Sequence, residues 1–454
     1  MADLTTVANI LTHDYADKII HVQYNKDIAI WKYLPIKDVE WSGDLAEVSL
    51  GVGFNDSTTS LEGNDEPDGD SMQYLRYHIR AKRIIGKATL TDEMIQAATA
   101  GGSIAEEPGA ELDGLVFGFA KELCRQMFMG GPVIGLVWQK SNAITTYGYT
   151  GRSVDVVANA NQTVQFLRLD TYDLVGAATA ITAIDEKSIT LAANIDTTGI
   201  ASRIPLAVVM VGALSQLTQT TKVKLASNGT PAVLDPNGKK VGPFRSNMTG
   251  LFSNLCQQVN FGVDRSSASL DVDAFRLRSN FKVCGDTNAA GGDVWSQEEG
   301  NYIHAQIKKA SGVAPSAWWM GVVTTAAFAN TFASDSKQRI MPQQVIDKLD
   351  AGAPTPKTDS FETPYGIGRV PIFESDVCPE GAAFCLSYPA IGRYFRKNQD
   401  KSGRWVTIDG AKGGSPLIKT QGQTTYTAER LLYVDVAVRQ PNQCGIVTGI
   451  AIPS

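Results

Sequence analysis

Apolar residues recur at spacings of three and four between Glu106 and Gly130, and Leu112, Leu115, Val116, Phe119, Ala120, Leu123 and Met127 fall along one side of a helix of about six turns. Glu106, Glu107 and Glu111 suit a positive helix start, Pro108 suits a first turn, and Gly130-Gly131-Pro132 stops the run. The pattern predicts a helix over about 107–129 whose core face is Leu112, Leu115, Val116, Phe119, Leu123 and Met127. Upstream, Ala46–Val52 and Leu75–Ile85 are rich in strand formers and partly alternate. Between Trp41 and Leu75 there is no lysine or arginine, while Glu47, Asp56, Glu62, Asp65, Glu66, Asp68 and Asp70 sit among Gly, Ser, Thr and Asn. Such a stretch cannot bury enough apolar area to form a core. The expectation is a long two-stranded projection with an acidic tip.

The opening to Val39 mixes apolar and charged residues and contains the strand-like segments Ile28–Trp31 and Tyr33–Ile36, which predict an extended arm. Thr91-Asp92-Glu93-Met94-Ile95 predicts a short helix with Thr91 as its cap. From Ser141 to Val241 the composition shifts to Thr, Ala, Val, Asn and Gly, with a strand pattern at Thr163–Leu169 and a hairpin of Ala180–Ile184 and Ser188–Leu191. These 101 residues read as a separate β-rich insertion. Beyond them, Asn301–Ala310 predicts a helix closed by Gly312, Thr324–Ala333 a second with Phe328 and Phe332 on one side, and Leu431–Val438 a last strand. No internal repeat is present.

At 454 residues the chain holds roughly three domains' worth of sequence. Charged residues, at 19 %, fall below the usual ~25 %, and the net charge of −6 speaks against a protein that works by neutralising phosphates. The longest apolar run, Ile204–Leu214, is too short to cross a bilayer, and the first 30 residues lack the basic start and apolar run of a signal peptide. Six cysteines lie far apart with no C-x-x-C pair, so reduced thiols are expected, and the four Asn-x-Ser/Thr matches are chance.

Candidate chemistry does not assemble. Gly130–Gly135 and Asn237–Gly242 lack the spacing of phosphate-binding loops and read as turns. Asp264–Ser267 and Asp271–Asp273 lack opposed carboxylates or a calcium ligand set. Cys378 and Cys385 read as structural residues beside turns, and His13, His21, His78 and His304 show no metal-ligand spacing. No catalytic, cofactor or metal residue is predicted.

The order of elements, namely arm, two-stranded loop, short helix, long amphipathic helix and α+β body, resembles the tailed-phage major capsid proteins of the Hong Kong 97 fold. So do Leu75–Ala98, Gly250-Leu251-Phe252 followed by Gly262–Ser266, Gly312–Met320, and Gly368–Phe373 followed by Cys378-Pro379. The resemblance implies an α+β chain. Its parts would be an N-terminal arm (1–41), an E-loop (42–87), a peripheral segment with the spine helix (88–140), the inserted domain on the outer surface (141–241), and a peripheral and axial body (242–310). An axial-rich segment (311–430) and a returning C-terminal strand (431–454) would follow. It further implies self-assembly as hexamers and pentamers into a virion shell built in the host cytoplasm. The partners would be a separate scaffolding protein, a portal, a decoration protein and packaged double-stranded DNA held non-specifically, with no membrane.

Only about forty residues precede the loop, without the charged helical pattern of a fused scaffold, and the loop lacks the lysine that relatives use to cross-link. Assembly contacts are expected where the acidic tip (Asp56, Glu62, Asp65, Glu66, Asp68, Asp70) meets the basic stem (Arg76, Arg80, Lys82, Arg83, with Lys87) or the Arg393–Lys397 cluster of a neighbour. The rival readings are a β-rich tail or adhesin component, which would lack the long helix after a two-stranded arm, and an enzyme with a dispersed site.

Overall fold

The computed structural model describes residues 29–39, 45–51, 74–80, 82–93, 107–130, 133–137, 146–150, 163–168, 174–184, 188–195, 206–210, 223–225, 231–233, 248–256, 259–260, 263–265, 278–284, 295, 297–334, 358–362, 369–396, 404–405, 417–419 and 424–450. The chain opens with α1 (Ala29–Tyr33) and β1 (Ile36–Val39). Extended structure was expected from Ile28, and its first half is helical instead. Ile30 and Leu34, four apart, both bury, Leu34 N donates to the Ile30 carbonyl, and Pro35 follows to end the turn.

β2 (Leu45–Gly51) and β3 (Tyr74–Arg80) form an antiparallel hairpin stem, in register from Leu45 opposite Arg80 to Gly51 opposite Tyr74. The return stretch, expected as one strand, divides after Arg80, and β4 (Lys82–Thr91) joins the body of the molecule. Thr91 ends β4; the helix expected after it starts at Asp92, and its residues beyond Glu93 lie outside the described ones. The long helix, α2, spans Glu107–Met129 and ends at Gly130, whose φ of 73° suits a residue without a side chain.

Six strands then close a barrel: β5 (Val133–Val137), β6 (Thr146–Thr150), β7 (Thr163–Arg168), β8 (Leu174–Ile184), β9 (Ser188–Leu191) and β10 (Leu206–Met210), ordered β10-β5-β6-β9-β8-β7. The barrel starts upstream of the composition change at Ser141. Its β10 wall is apolar on both sides. Leu206 and Val208 bury inside the barrel with Val137 and Phe166, while Ala207 and Val209 join Leu136 and Leu167 in the main core. A small ladder, β11 (Val223–Leu225) with β12 (Pro231–Val233), follows. Next come α3 (Leu251–Cys256) and the short pair β13 (Val259–Asn260) and β14 (Val263–Asp264).

Two mixed sheets complete the body. The remaining elements are β15 (Asn280–Val283), α4 (Gln297–Ser311), β16 (Ala317–Met320), α5 (Val322–Ser334), β17 (Thr358–Glu362), β18 (Arg369–Glu374) and β19 (Ala382–Leu386). They are followed by β20 (Ile391–Arg396), β21 (Arg404–Trp405), β22 (Leu417–Lys419), β23 (Thr425–Val438) and β24 (Gly445–Thr448). One sheet is ordered β15-β24-β19-β16-β18-β17. In the other, β4 runs along one edge of β23 from Lys82 opposite Val434 to Thr91 opposite Thr425, and β20, β21 and β22 share its other edge. β1 adds to β20 in parallel.

Adjacent residues of β16 show how the layers divide. Trp318 faces the helix layer, against Trp295 and His304, in a core that also holds Ile303 and Ile307 of α4 and Phe328 of α5. Trp319 faces the main core with Phe128 of α2, Phe373 and Tyr33. The α4 and α5 helices therefore cover one face of the sheet, and α2 and α3 pack toward the other. No described helix is long and apolar enough to cross a membrane.

Candidate functional site

The described surfaces carry no catalytic constellation. Among the described residues no three His, Cys, Asp or Glu side chains gather as metal ligands, and all six cysteines are thiols. Cys378 and Cys385 are both buried, and burial pushes the Cys385 thiol up, the reverse of what a nucleophile needs. Arg265, next to Asp264, is buried and donates to the Asn254 carbonyl at 2.9 Å. Gly130 is a helix stop. His304 accepts the Trp318 indole N–H at 2.7 Å, and burial holds it down to about 4, so it stays neutral near pH 7.

The predicted assembly residues separate into two groups. Asp56, Glu62, Asp65, Glu66, Asp68 and Asp70 lie outside the described residues. Of the stem cations, Arg76 is exposed and pairs with Glu47 across the hairpin at 3.4 Å, Lys87 pairs with Glu429 at 3.6 Å, and Arg83 is exposed. Arg80 and Lys82, expected among the assembly residues, are both buried within the chain. Arg393, the first residue of the alternative cluster, is likewise buried, whereas Arg396 is exposed. The reason is topological: β3 hands over to β4 at this point, so the middle of the basic run enters the body sheet. The hairpin stem is also less of a free projection than expected, since Ala46, Leu50, Tyr77 and Ile79 on one face are buried.

Lys82 has a buried counter-charge. Asp435 on β23 is fully buried and accepts from Thr249 N at 2.9 Å, Thr249 Oγ1 at 3.0 Å and Val436 N at 2.9 Å. Burial pushes its carboxyl up to about 6, against the opposing pull of Lys82 and of these hydrogen bonds.

Along α2 the predicted face is graded. Leu112, Leu115 and Val116 are half-buried, and Phe119, Leu123 and Met127 are buried. The periodicity did not reveal that the last two turns are buried all round, with Cys124, Arg125, Gln126 and Phe128 inside as well. Arg125 is held by Glu122 through two hydrogen bonds of 2.8 and 2.6 Å and donates to the Val133 carbonyl at 2.8 Å. Gln126 donates to Glu122 and accepts from Met248 N at 3.1 Å. These polar groups make a neck where the chain leaves for the barrel at Gly130 and returns at Gly250. A Cβ on Gly250 would stand 2.7 Å from Gly130 Cα, so both glycines are required by the close approach.

A second anchored element is the start of α5. The Glu380 carboxylate accepts from Val323 N at 3.1 Å, Thr324 N at 2.8 Å and Thr324 Oγ1 at 2.6 Å, while Gly381 N donates back to Thr324 Oγ1. Lys121 of α2 and Asp376 of the loop after β18 form a mostly buried ion pair at 3.3 Å, tying the long helix to the β16 sheet.

No family model matches the sequence, and no curated protein does. Among solved structures, the capsid asymmetric unit of cyanophage A-1(L) aligns over 99% of this chain and 99% of that chain, at 8% identity and a TM-score of 0.53. The chain has the Hong Kong 97 capsid fold. A structure from Mycobacterium phage Bobi (11% identity, 99% and 98% of the two chains, TM-score 0.43) is also similar. So is the holo-SrpI encapsulin complex from Synechococcus elongatus PCC 7942 (7%, 99% and 96%, 0.43).

Proposed function

We propose that the chain is the major capsid protein of a tailed double-stranded DNA phage, assembling as pentamers and hexamers into an icosahedral shell in the host cytoplasm. The observation that carries the reading is the match of fold over essentially the whole of both chains with a phage capsid subunit. The low charge content agrees with it, because shell subunits hide much of their surface on neighbours. A separate scaffolding protein, a portal and a decoration protein are the partners the reading implies, with the packaged DNA touched non-specifically. The subunit acts as a building block and not as an enzyme.

The division into arm, E-loop, peripheral, axial and inserted parts belongs to the same proposal. The neck at Gly130 and Gly250 supports widening the inserted segment from 141–241 to 131–247. With Arg80, Lys82 and Arg393 buried, Arg76, Arg83, Lys87 and Arg396 are the exposed cations among the described residues of these segments that could meet the acidic tip of a neighbouring loop. Sedimentation velocity of the chain co-expressed with its scaffold tests the proposal. Particles of megadalton size are expected, and a folded monomer under every condition would refute it.

A further inference from the structure

We infer that Arg393 is a clasp that fixes the root of the N-terminal arm, Ala29–Val39, to the body of its own subunit and thereby sets where the arm departs toward its neighbour. The inference rests on the capsid reading for the arm's destination and on geometry alone for the clasp.

Arg393 is only 4 % exposed, and among the described residues its side chain meets a backbone carbonyl and two aromatic rings. Its Nε donates to the Leu34 carbonyl at 2.9 Å, and its backbone N donates to the Pro35 carbonyl at 2.9 Å. The guanidinium lies 4.5 Å from the centre of the Trp31 ring and 5.7 Å from that of Phe395, and the two rings meet edge to face at 5.9 Å. One side chain of β20 thus holds both the turn that ends α1 and the aromatic face of α1. The apolar side of the root is held separately, with Ile30 and Leu34 buried in the main core and Tyr33 packed against Trp319, Phe373 and Tyr388, while its C-terminal end is held less firmly. β1 is an edge strand paired in parallel at four positions, its Ile36 is 41 % exposed, and Lys32 is exposed to solvent. A buried, desolvated cation used in this way is costly unless its contacts are worth having, and a guanidinium can stack and donate at once where a lysine cannot. Arg393 is therefore the polar clasp of the root beside these apolar contacts, and the body beneath it is completed by contacts that do not pass through Arg393, including Phe128 with Phe384 and Trp319 with Phe373.

Limited trypsin digestion of the unassembled full chain, followed by mass spectrometry, tests the clasp without reference to shells. In Arg393→Met, cleavage at Lys32 and Lys37 should quicken at least about tenfold, the scale of losing a charge-assisted hydrogen bond with its stacking partner, while cleavage at Lys308 and Lys309 of α4 stays at the wild-type rate. Trp31→Leu should reproduce the effect from the strap's side, Arg393→Lys should be intermediate, and Arg396→Ala on the exposed end of the same strand should be silent. Unchanged cleavage at Lys32 and Lys37 in both Arg393→Met and Trp31→Leu would overturn the clasp, and so would cleavage rising equally throughout the chain, which would make Arg393 an ordinary core residue. If the root is released but co-expressed scaffold still yields normal shells, the clasp stands and its link to assembly falls. Absence of shells from the wild-type chain would instead count against the capsid reading.

Discussion

Adding one methyl group at Gly250 should be among the most damaging small changes in this chain, while the same methyl at Gly114 should help it. At Gly250 φ is +73°, a backbone that costs a residue with a Cβ about 1–2 kcal/mol. The new Cβ would stand 2.7 Å from Gly130 Cα and 2.8 Å from the Gln126 carbonyl oxygen, both backbone atoms at the end of α2. Retreat is blocked because Met127 and Phe128 beside them are fully buried, so overpacking adds about 1–3 kcal/mol. Gly250→Ala should therefore destabilise by about 2–5 kcal/mol. Gly114 lies mid-helix with nothing within 4 Å of an added Cβ, and Gly114→Ala should stabilise by about 0.5–1 kcal/mol. Urea unfolding of unassembled subunits, followed by tryptophan fluorescence, reads both effects, since Trp295, Trp318 and Trp319 are buried in the two cores. A Gly250→Ala midpoint equal to or above wild type would refute the neck as described.

Glu380→Ala removes the acceptor at the start of α5 and should cost about 1–2 kcal/mol in thermal unfolding, with Glu380→Gln losing less because one oxygen remains; equal stability of all three would reject the cap. Two buried groups should give opposite pH dependences. Asp435, raised to about 6, contributes most stability below about pH 4 and loses it as pH rises through 6, whereas His304, lowered to about 4, contributes above pH 6.5 and loses stability as pH falls toward 4. Relative to wild type, Asp435→Asn should thus become less stable on acidification from pH 7 to 4.5 and His304→Gln more stable, each by at most about 1.4 kcal/mol per pH unit. Parallel changes in both variants and wild type, measured as urea midpoints, would contradict the assignment.

The long helix α2 was legible because its core stripe, acidic first turn, Pro108 and Gly130 all point to one element, and local signals of that kind need no knowledge of the rest of the fold. The pairing of β8 with β9 was legible for the same reason, its two alternating runs lying three residues apart in the sequence. The α1 turn was missed since five residues carry too little periodicity to separate helix from strand. Composition did not announce that the barrel's first strand lies upstream of Ser141, because β5 carries apolar residues into both the main core and the barrel core. The buried polar residues were least legible. Lys82 and Asp435 are 353 positions apart, and Arg393 meets Leu34 across 359, so their burial depends on partners that no local pattern announces. A basic run in the sequence consequently read as one surface, although the structure turns Arg80 and Lys82 inward and leaves Arg83 outside.

The claim that this chain builds a closed shell is tested most directly by cryo-electron microscopy of the particles it forms with its scaffold. The prediction is an icosahedral lattice of pentamers and hexamers in which each subunit shows the spine helix, the E-loop hairpin and a six-stranded barrel carried on a narrow neck. Discrete trimers or filaments without fivefold vertices, or a shell whose subunit density cannot hold these elements, would contradict it.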